Sequence, residues 1–287
     1  MPQILDGKIA RDFYKKTLIE RVKKLSFVPT LSIIQIGDNR ESAIYIEQKK
    51  NFGLSIGVSV SHIHLPAEAT FDEIARIILG ENSKSEVSGI IIQSPVPAHL
   101  DFLKLVNLID PKRDVDGLTD ENVKLLAEGK PRFVPATARG VMLLLDFYKI
   151  SVSGKKIAVL GRSRLVGGPI ARMLEMEGAN VTVCHSKTAN TREITKQSDI
   201  VIVAVGKPEF IDRSYVRDGA IVIDVGINSV YGEKLEEEIP KRKLVGDVDF
   251  GNIFAVVSAI TPVPGGVGPM TVLSLFDNLI SASLKLK

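Results

Sequence analysis

The sequence predicts an α/β protein of two domains, the second a Rossmann-like, doubly wound nucleotide-binding domain. Three observations carry this. The chain has 287 residues, about twice the common domain size. Continuously apolar strands such as "TLSIIQIG" and "DIVIVAVG" alternate with helix-length segments, the pattern of parallel sheets covered on both faces. A strand, a Gly-rich turn and a helix, "KIAVLGRSRLVGGPIARMLEMEG", open the second region, as such domains do.

The elements follow in order. "MPQILDGKIARDFYKK" is amphipathic with early charges, unlike a secretory leader or a membrane span. A helix is expected over 7–25 and a buried strand over 30–37. The next helix spans 39–52, with Asp38 and Glu41 as its capping box and Gly53 as its C′ residue. The strand "SVSHIHL", a helix over 70–80 and a strand over 89–94 complete the first region, and a helix over 137–148 links it to the second. There the strands read "KIAVLG", "NVTVCHS", "DIVIVAVG", "AIVIDVG" and "KLVGDV", with helices after the first and over 191–197. A last helix over 269–287, with Pro269 in its first turn, is expected to return to the first domain. The domains are thus set at 1–138 with 269–287, and at 139–268.

Bulk properties narrow the function. Hydrophobic residues are 45% and charged residues 25% of the chain, and the net charge is +3, without basic runs or interleaved aromatics. That argues against nucleic acid and membrane surfaces as partners. Cys184, the single cysteine, excludes an internal disulfide framework and fits the cytoplasm. "DPKRDVDGLTDEN" is no calcium loop, since Gly117 falls too early and no Glu closes it; no metal is expected.

The turn "VLGRSRLVGGP" departs from G-x-G-x-x-G. Ser163 stands at the second Gly position, and Gly167 comes one place late. Gly161 can still make the tight turn, and the following helix N-terminus offers amides to a pyrophosphate. An ordinary βα turn with a Gly pair is the alternative. An NAD site needs an acid near the end of the next strand, yet no Asp or Glu lies between Glu177 and Glu193. Arg162 on the turn, with Ser186 and Lys187 after that strand, offers positive and hydroxyl groups for a 2′-phosphate instead, which favours NADP on charge; a solvated loop over 185–187 is the competing reading.

In the first region Ser42, Tyr45 and Lys49 share one helical face by their spacing. They could activate water or hold a pteridine-like ring, or be an ordinary surface lysine beside an amphipathic tyrosine. Gln93 ends a buried strand, where an amide can both donate to and accept from a heterocycle edge. Asp116 could take an amidine-like edge with both oxygens, or merely form an Asp-Gly turn.

Taken together and in this order, "YIEQK", "PKRDVDGL", "GRSRLVGGP", "VTVCHSKT", "VIDVGIN", "GDVDF" and "TPVPGGVGPMT" make the chain resemble the bifunctional methylenetetrahydrofolate dehydrogenase/cyclohydrolase family over nearly its whole length. The resemblance implies NADP-dependent oxidation of 5,10-methylenetetrahydrofolate, hydrolysis of the methenyl product to 10-formyltetrahydrofolate, and a homodimer. It casts Lys49 as the main catalytic residue, aided by Tyr45 and Gln93. Ser42, Asp116, Pro262, Gly265 and Gly266 would serve the folate; Gly161, Arg162, Ser163, Ser186 and Ile227 would serve NADP. The chain departs from the family pattern at Ala136 and Ala138 in "VPATARG", and at Ser94 and Val96 in "QSPVP". The competing functions are a shikimate-dehydrogenase-like NADP enzyme acting on a small hydroxy or keto acid, and an NADP-binding sensor without turnover.

Overall fold

The computed structural model describes residues 1–231 and 242–284. The chain divides into two compact units, one of Asp12–Ala136 with Val272–Lys287 and one of Met1–Arg11 with Thr137–Thr271. We call these the N-terminal and central units.

From the start of the chain, β1 (Gln3–Ile4) is followed by α1 (Gly7–Lys23), β2 (Thr30–Ile36), α2 (Arg40–Ser55), β3 (Ser59–Leu65), α3 (Phe71–Ser83) and β4 (Val87–Ile92). In the N-terminal unit β3, β2 and β4 form a three-stranded sheet in that order, parallel throughout. Both faces of β2 are covered, which is why "LSIIQI" is buried without alternation. Ile33, Ile34, Ile46, Ile74 and Ile90 have at most 1% of their surface exposed, each worth about 1.5–3 kcal/mol of burial. Thr70 caps α3 in a reciprocal box with Glu73. Two short helices that the sequence reading did not anticipate, α4 (Phe102–Val106) and α5 (Asp120–Ala127), flank the "DVDG" turn.

α2 departs from expectation at both ends. Its N-cap is Asn39, whose side chain accepts from the Ser42 amide at 2.9 Å, while Asp38 pairs with His64 at 3.2 Å. Gly53 is not a C′ residue: it lies inside the helix, where a Cβ would come 2.8 Å from Val60 and 3.0 Å from Phe276. Here glycine serves close packing, and the left-handed turn falls on Gly57 instead, at φ +81°.

The central unit begins its second stretch with α6 (Ala136–Phe147), then β5 (Lys156–Leu160), α7 (Gly167–Met176), β6 (Asn180–Cys184), α8 (Thr191–Lys196), β7 (Ile200–Val203) and β8 (Ile221–Asp224). An antiparallel pair, β9 (Asn228–Tyr231) with β10 (Arg242–Val245), precedes α9 (Phe250–Ile253), β11 (Ala259–Ile260) and α10 (Val267–Ser283). The main sheet has the order β1-β11-β8-β7-β5-β6 and is parallel throughout. Strand order reverses at β5, between β6 and β7, which is the switch point where such sheets take a ligand. Ala158, Val201, Val203, Val222 and Ile260 fill the core on one side of it.

The domain limits shift accordingly. Residues 1–11, expected with the first domain, pair β1 against β11 and belong to the central sheet. Two residues were too short a run to carry a strand signal. The last helix does return to the N-terminal unit: the Phe276 ring lies tilted against that of Phe52, centroids 5.3 Å apart, and Asn278 donates to the carbonyls of Val115 and Val134 at 2.9 Å each. It starts two residues before Pro269, and its expected end over 285–287 lies outside the described residues.

Candidate active site

The N-terminal unit gathers one chemical cluster. Because α2 presents residues three and four apart on one face, Ser42, Tyr45 and Lys49 follow one another along it. β4 runs parallel to β2 and delivers Gln93 just beyond its end, where the Gln93 amide donates to the Ile34 carbonyl at 2.8 Å. Lys49 Nζ donates to Gln93 Oε1 at 2.7 Å, while Gln93 Nε2 donates to the Ser94 carbonyl at 2.8 Å. Ser42 Oγ, buried, donates to that same carbonyl at 3.3 Å. The departure at Ser94 thus leaves these contacts intact, since its backbone oxygen makes them.

Asp116 is held by a scaffold the sequence reading left unassigned. Asp114, buried, accepts from the Thr119 amide and from Asn122 Nδ2, both at 2.8 Å, and Gly117 N closes the turn onto the Asp114 carbonyl at 3.1 Å. Arg132 donates in turn to Asn122 Oδ1 at 3.1 Å. The two residues between which Asp116 stands are therefore fixed, by Asn278 on Val115 and by this network on Gly117.

Electrostatics set the cluster apart. Burial lowers the pKa of the Lys49 ammonium, and the Asp116 charge works against that shift. Burial raises Asp116 to about 6, with Lys49 opposing and Asp114 adding to the rise. Each side chain keeps a partly exposed edge while protein crowds its charged end. Burial and the charge of Glu41 raise the Tyr45 phenol. Two groups whose surroundings bring their proton affinities toward neutrality make this cluster the candidate site of proton chemistry.

The central unit carries the nucleotide turn. Gly161, at φ +111°, leaves β5 with its Cα so close to β7 that a Cβ would lie 2.1 Å from the Ala204 carbonyl. A Cβ at Gly167 would meet the Gly161 carbonyl at the same distance. The late glycine therefore lets α7 pack onto the turn, as the third glycine of the usual fingerprint does. Ser163 Oγ accepts from the amides of Val166 and Gly167 at 3.2 and 3.4 Å; its hydroxyl hydrogen stays available to a ligand. A cavity of about 420 Å³ is lined by Gly161, Arg162, Ser163, His185, Ser186, Thr188 and Lys207, among others, and among the described residues no carboxylate lines it. A backbone cradle that a Cβ would fill, hydroxyls and a guanidinium suit a phosphorylated dinucleotide, and the missing acid suits a 2′-phosphate. Ile227 is not among the lining residues; it sits 45% exposed beyond the end of β8.

Pro262, Gly265 and Gly266 lie in the central unit. Their loop is fastened by Gly7 N to the Gly265 carbonyl and by Gly266 N to the Pro262 carbonyl, both at 2.8 Å. Missing from the sequence reading was a pair of buried carboxylates, Asp224 and Asp247, at the ends of β8 and β10. "GDVDF" was visible as a motif, but nothing in it says which acid turns inward.

The fold and its nucleotide turn are those of a nicotinamide-nucleotide-dependent enzyme with a separate α/β unit. Two family models match: the tetrahydrofolate dehydrogenase/cyclohydrolase catalytic domain over residues 5–116, and the NAD(P)-binding domain of the same family over residues 135–287. The Bifunctional protein FolD of Agathobacter rectalis is 42% identical over 285 residues, covering 98% of this chain and 99% of that protein. Two crystal structures match 99% of both chains. One is the bifunctional FolD of Campylobacter jejuni, with TM-score 0.91 and 37% identity. The other is the Trypanosoma brucei dehydrogenase-cyclohydrolase complexed with NADP cofactor and inhibitor, with TM-score 0.92 and 34% identity. The chain belongs to the tetrahydrofolate dehydrogenase/cyclohydrolase family.

Proposed function

We propose that this protein oxidises 5,10-methylenetetrahydrofolate to the methenyl form with NADP, then hydrolyses that product to 10-formyltetrahydrofolate, with Lys49 as the residue that moves the proton. The observation that carries this reading is the short Lys49–Gln93 hydrogen bond inside a crowded site shared with Asp116. Family membership sets aside the hydroxy-acid dehydrogenase and the silent sensor.

When bound, NADP supplies the hydride acceptor. The chain's own residues hold it: Arg162 and Ser186 on the 2′-phosphate, Gly161 and Ser163 with the α7 amides on the pyrophosphate, and Ile227 against the cofactor. On the folate side Asp116 accepts from the amidine-like pterin edge, Ser42 contributes a hydroxyl, and the loop of Pro262, Gly265 and Gly266 serves the folate. For hydrolysis, water must add to a cationic carbon and lose a proton. A lysine made less basic by burial, and further by that cation, can accept the proton as neutral amine and return it to the departing ring nitrogen. One proton is released overall. Gln93 fixes the amine's direction, and Tyr45 borders it on the helix.

The family reading also makes the working form a homodimer of the cytoplasm; among the described residues no helix is long and apolar enough to cross a membrane. A spectrophotometric assay with methylenetetrahydrofolate and each nucleotide, followed by decay of the methenyl absorbance, tests the function. No reduction of NADP, or turnover of a small hydroxy acid instead, would overturn it.

A further inference from the structure

Asp247 has no place in the chemistry above, yet none of its surface is exposed. Its Oδ2 accepts from the amides of Val205 and Gly206 at 2.6 and 2.8 Å. Its Oδ1 accepts from the Lys207 amide at 2.9 Å and from Asn228 Nδ2 at 2.8 Å. One carboxylate thus gathers three consecutive backbone N–H groups after β7 and a side chain after β8. Below it Asp224, nearly as buried, accepts from the amides of Gly226, Asp247 and Val248 at 2.9, 3.1 and 2.9 Å. The backbone is shaped around both acids. A Cβ at Gly226 would fall 2.2 Å from the Asp247 carboxyl carbon, and one at Gly246 would fall 1.8 Å from an Asp224 oxygen.

Burying a carboxylate is costly unless donors surround it, so this network needs a reason. The groups it ties down supply one. Val205 and Lys207 line the nucleotide cavity, and Ala204 is the residue against which Gly161 closes. Gly226 and Asn228 bracket Ile227. Left free, three successive amides pointing one way would themselves form an anion-binding concavity; the carboxylate fills it.

We infer that Asp247 is a positioning residue of the cofactor site, locking the 205–207 wall and the 226–228 turn into one rigid surface for the nicotinamide nucleotide. The inference rests on the assignment of this unit's cavity to NADP. The asparagine variant is isosteric, yet whichever oxygen becomes NH₂ then faces two N–H donors instead of accepting from them.

The test is titration of the intact purified protein with NADPH by fluorescence, alongside thermal melting without nucleotide. Asp247→Asn is expected to weaken NADPH binding at least tenfold and to show a smaller melting shift than the wild type at the same NADPH concentration. Binding within twofold of wild type overturns the inference, whatever the variant's own melting temperature, since a merely structural role lowers stability without changing affinity in the folded fraction. Should Asp247→Asn fail to fold, Asn228→Ala decides: it removes one of the four donors and is expected to weaken binding about threefold, and unchanged affinity overturns the inference. Wild-type protein that does not bind NADPH overturns this inference and the cofactor assignment together; wild-type binding with an unaffected variant overturns this inference alone.

Discussion

Lys49 Nζ lies 2.7 Å from Gln93 Oε1, so the amine's direct partner is a neutral amide and the carboxylate of Asp116 acts on it only through space. A direct ion pair would have held the proton on lysine. An amide orients the nitrogen without doing so, and burial is left to lower its affinity. Lys49→Met is therefore expected to abolish methenyl hydrolysis, a loss of at least a hundredfold for a positioned acid–base group, while NADPH affinity in a fluorescence titration stays at the wild-type value. Hydrolysis at the wild-type rate would remove Lys49 from its role.

Asp116 gives a pH dependence with a definite sign. Its pKa is raised from 3.8 to about 6, so between those values the folded protein holds a proton that the unfolded chain releases. Its ionisation therefore works against folding as pH rises through 6. Only the ionised form accepts from two N–H groups at once, so affinity for a non-reactive folate analogue is expected to fall as pH drops below about 6, approaching tenfold per pH unit. Asp116→Asn should bind weakly and flatten that profile; a variant profile that still bends near 6 would point to another group.

Cofactor preference should follow the positive turn. A charge-assisted hydrogen bond to phosphate is worth about 1.5–3 kcal/mol, so Arg162→Ala is expected to cut the ratio of kcat/KM for NADP over NAD by roughly ten- to a hundredfold. The NAD value itself should change little. Equal losses with both nucleotides would mean that Arg162 shapes the turn and does not read the 2′-phosphate.

Gly53 tests the packing account of α2. Alanine gains up to about 1 kcal/mol of helix propensity there, but its Cβ would press on Val60 at 2.8 Å and on Phe276 at 3.0 Å. Overpacking of this kind costs about 1–3 kcal/mol. Gly53→Ala is expected to lower the melting temperature, and a rise would show that the Phe276 ring yields freely.

The periodic parts of the molecule were legible, and the reason is physical. Strands buried on both faces must be apolar throughout, so β2, β4, β5, β7 and β8 announce themselves. The face of α2 bearing Ser42, Tyr45 and Lys49 followed from helical spacing, and the turn after β5, despite its departure from G-x-G-x-x-G, from its strand–helix context. What escaped depended on partners distant in the chain. Asp38 and Asn39 are adjacent residues of similar capping ability, and it is Asn39 that accepts from the Ser42 amide. Gly53 reads as a stop signal until Phe276 is seen against it. Asp114 and Asp116 are two residues apart with the same side chain. Asp114 is buried in hydrogen bonds to Thr119 and Asn122, and Asp116 is the one proposed to meet the folate. No local rule separates them, nor the inward-facing Asp247 from Asp249, which caps α9.

The edge strand β1 has a consequence for how the chain is made. Gln3 and Ile4 are made roughly 250 residues before the strand they join, at Ala259 and Ile260, and a pairing so distant in sequence is slow to close. Of the strands in the central sheet, β1 is thus made well before the neighbour it needs. Deletion of residues 1–6 would act on the nucleotide-binding half of the molecule, whose sheet they complete, more than on the half that follows them in sequence.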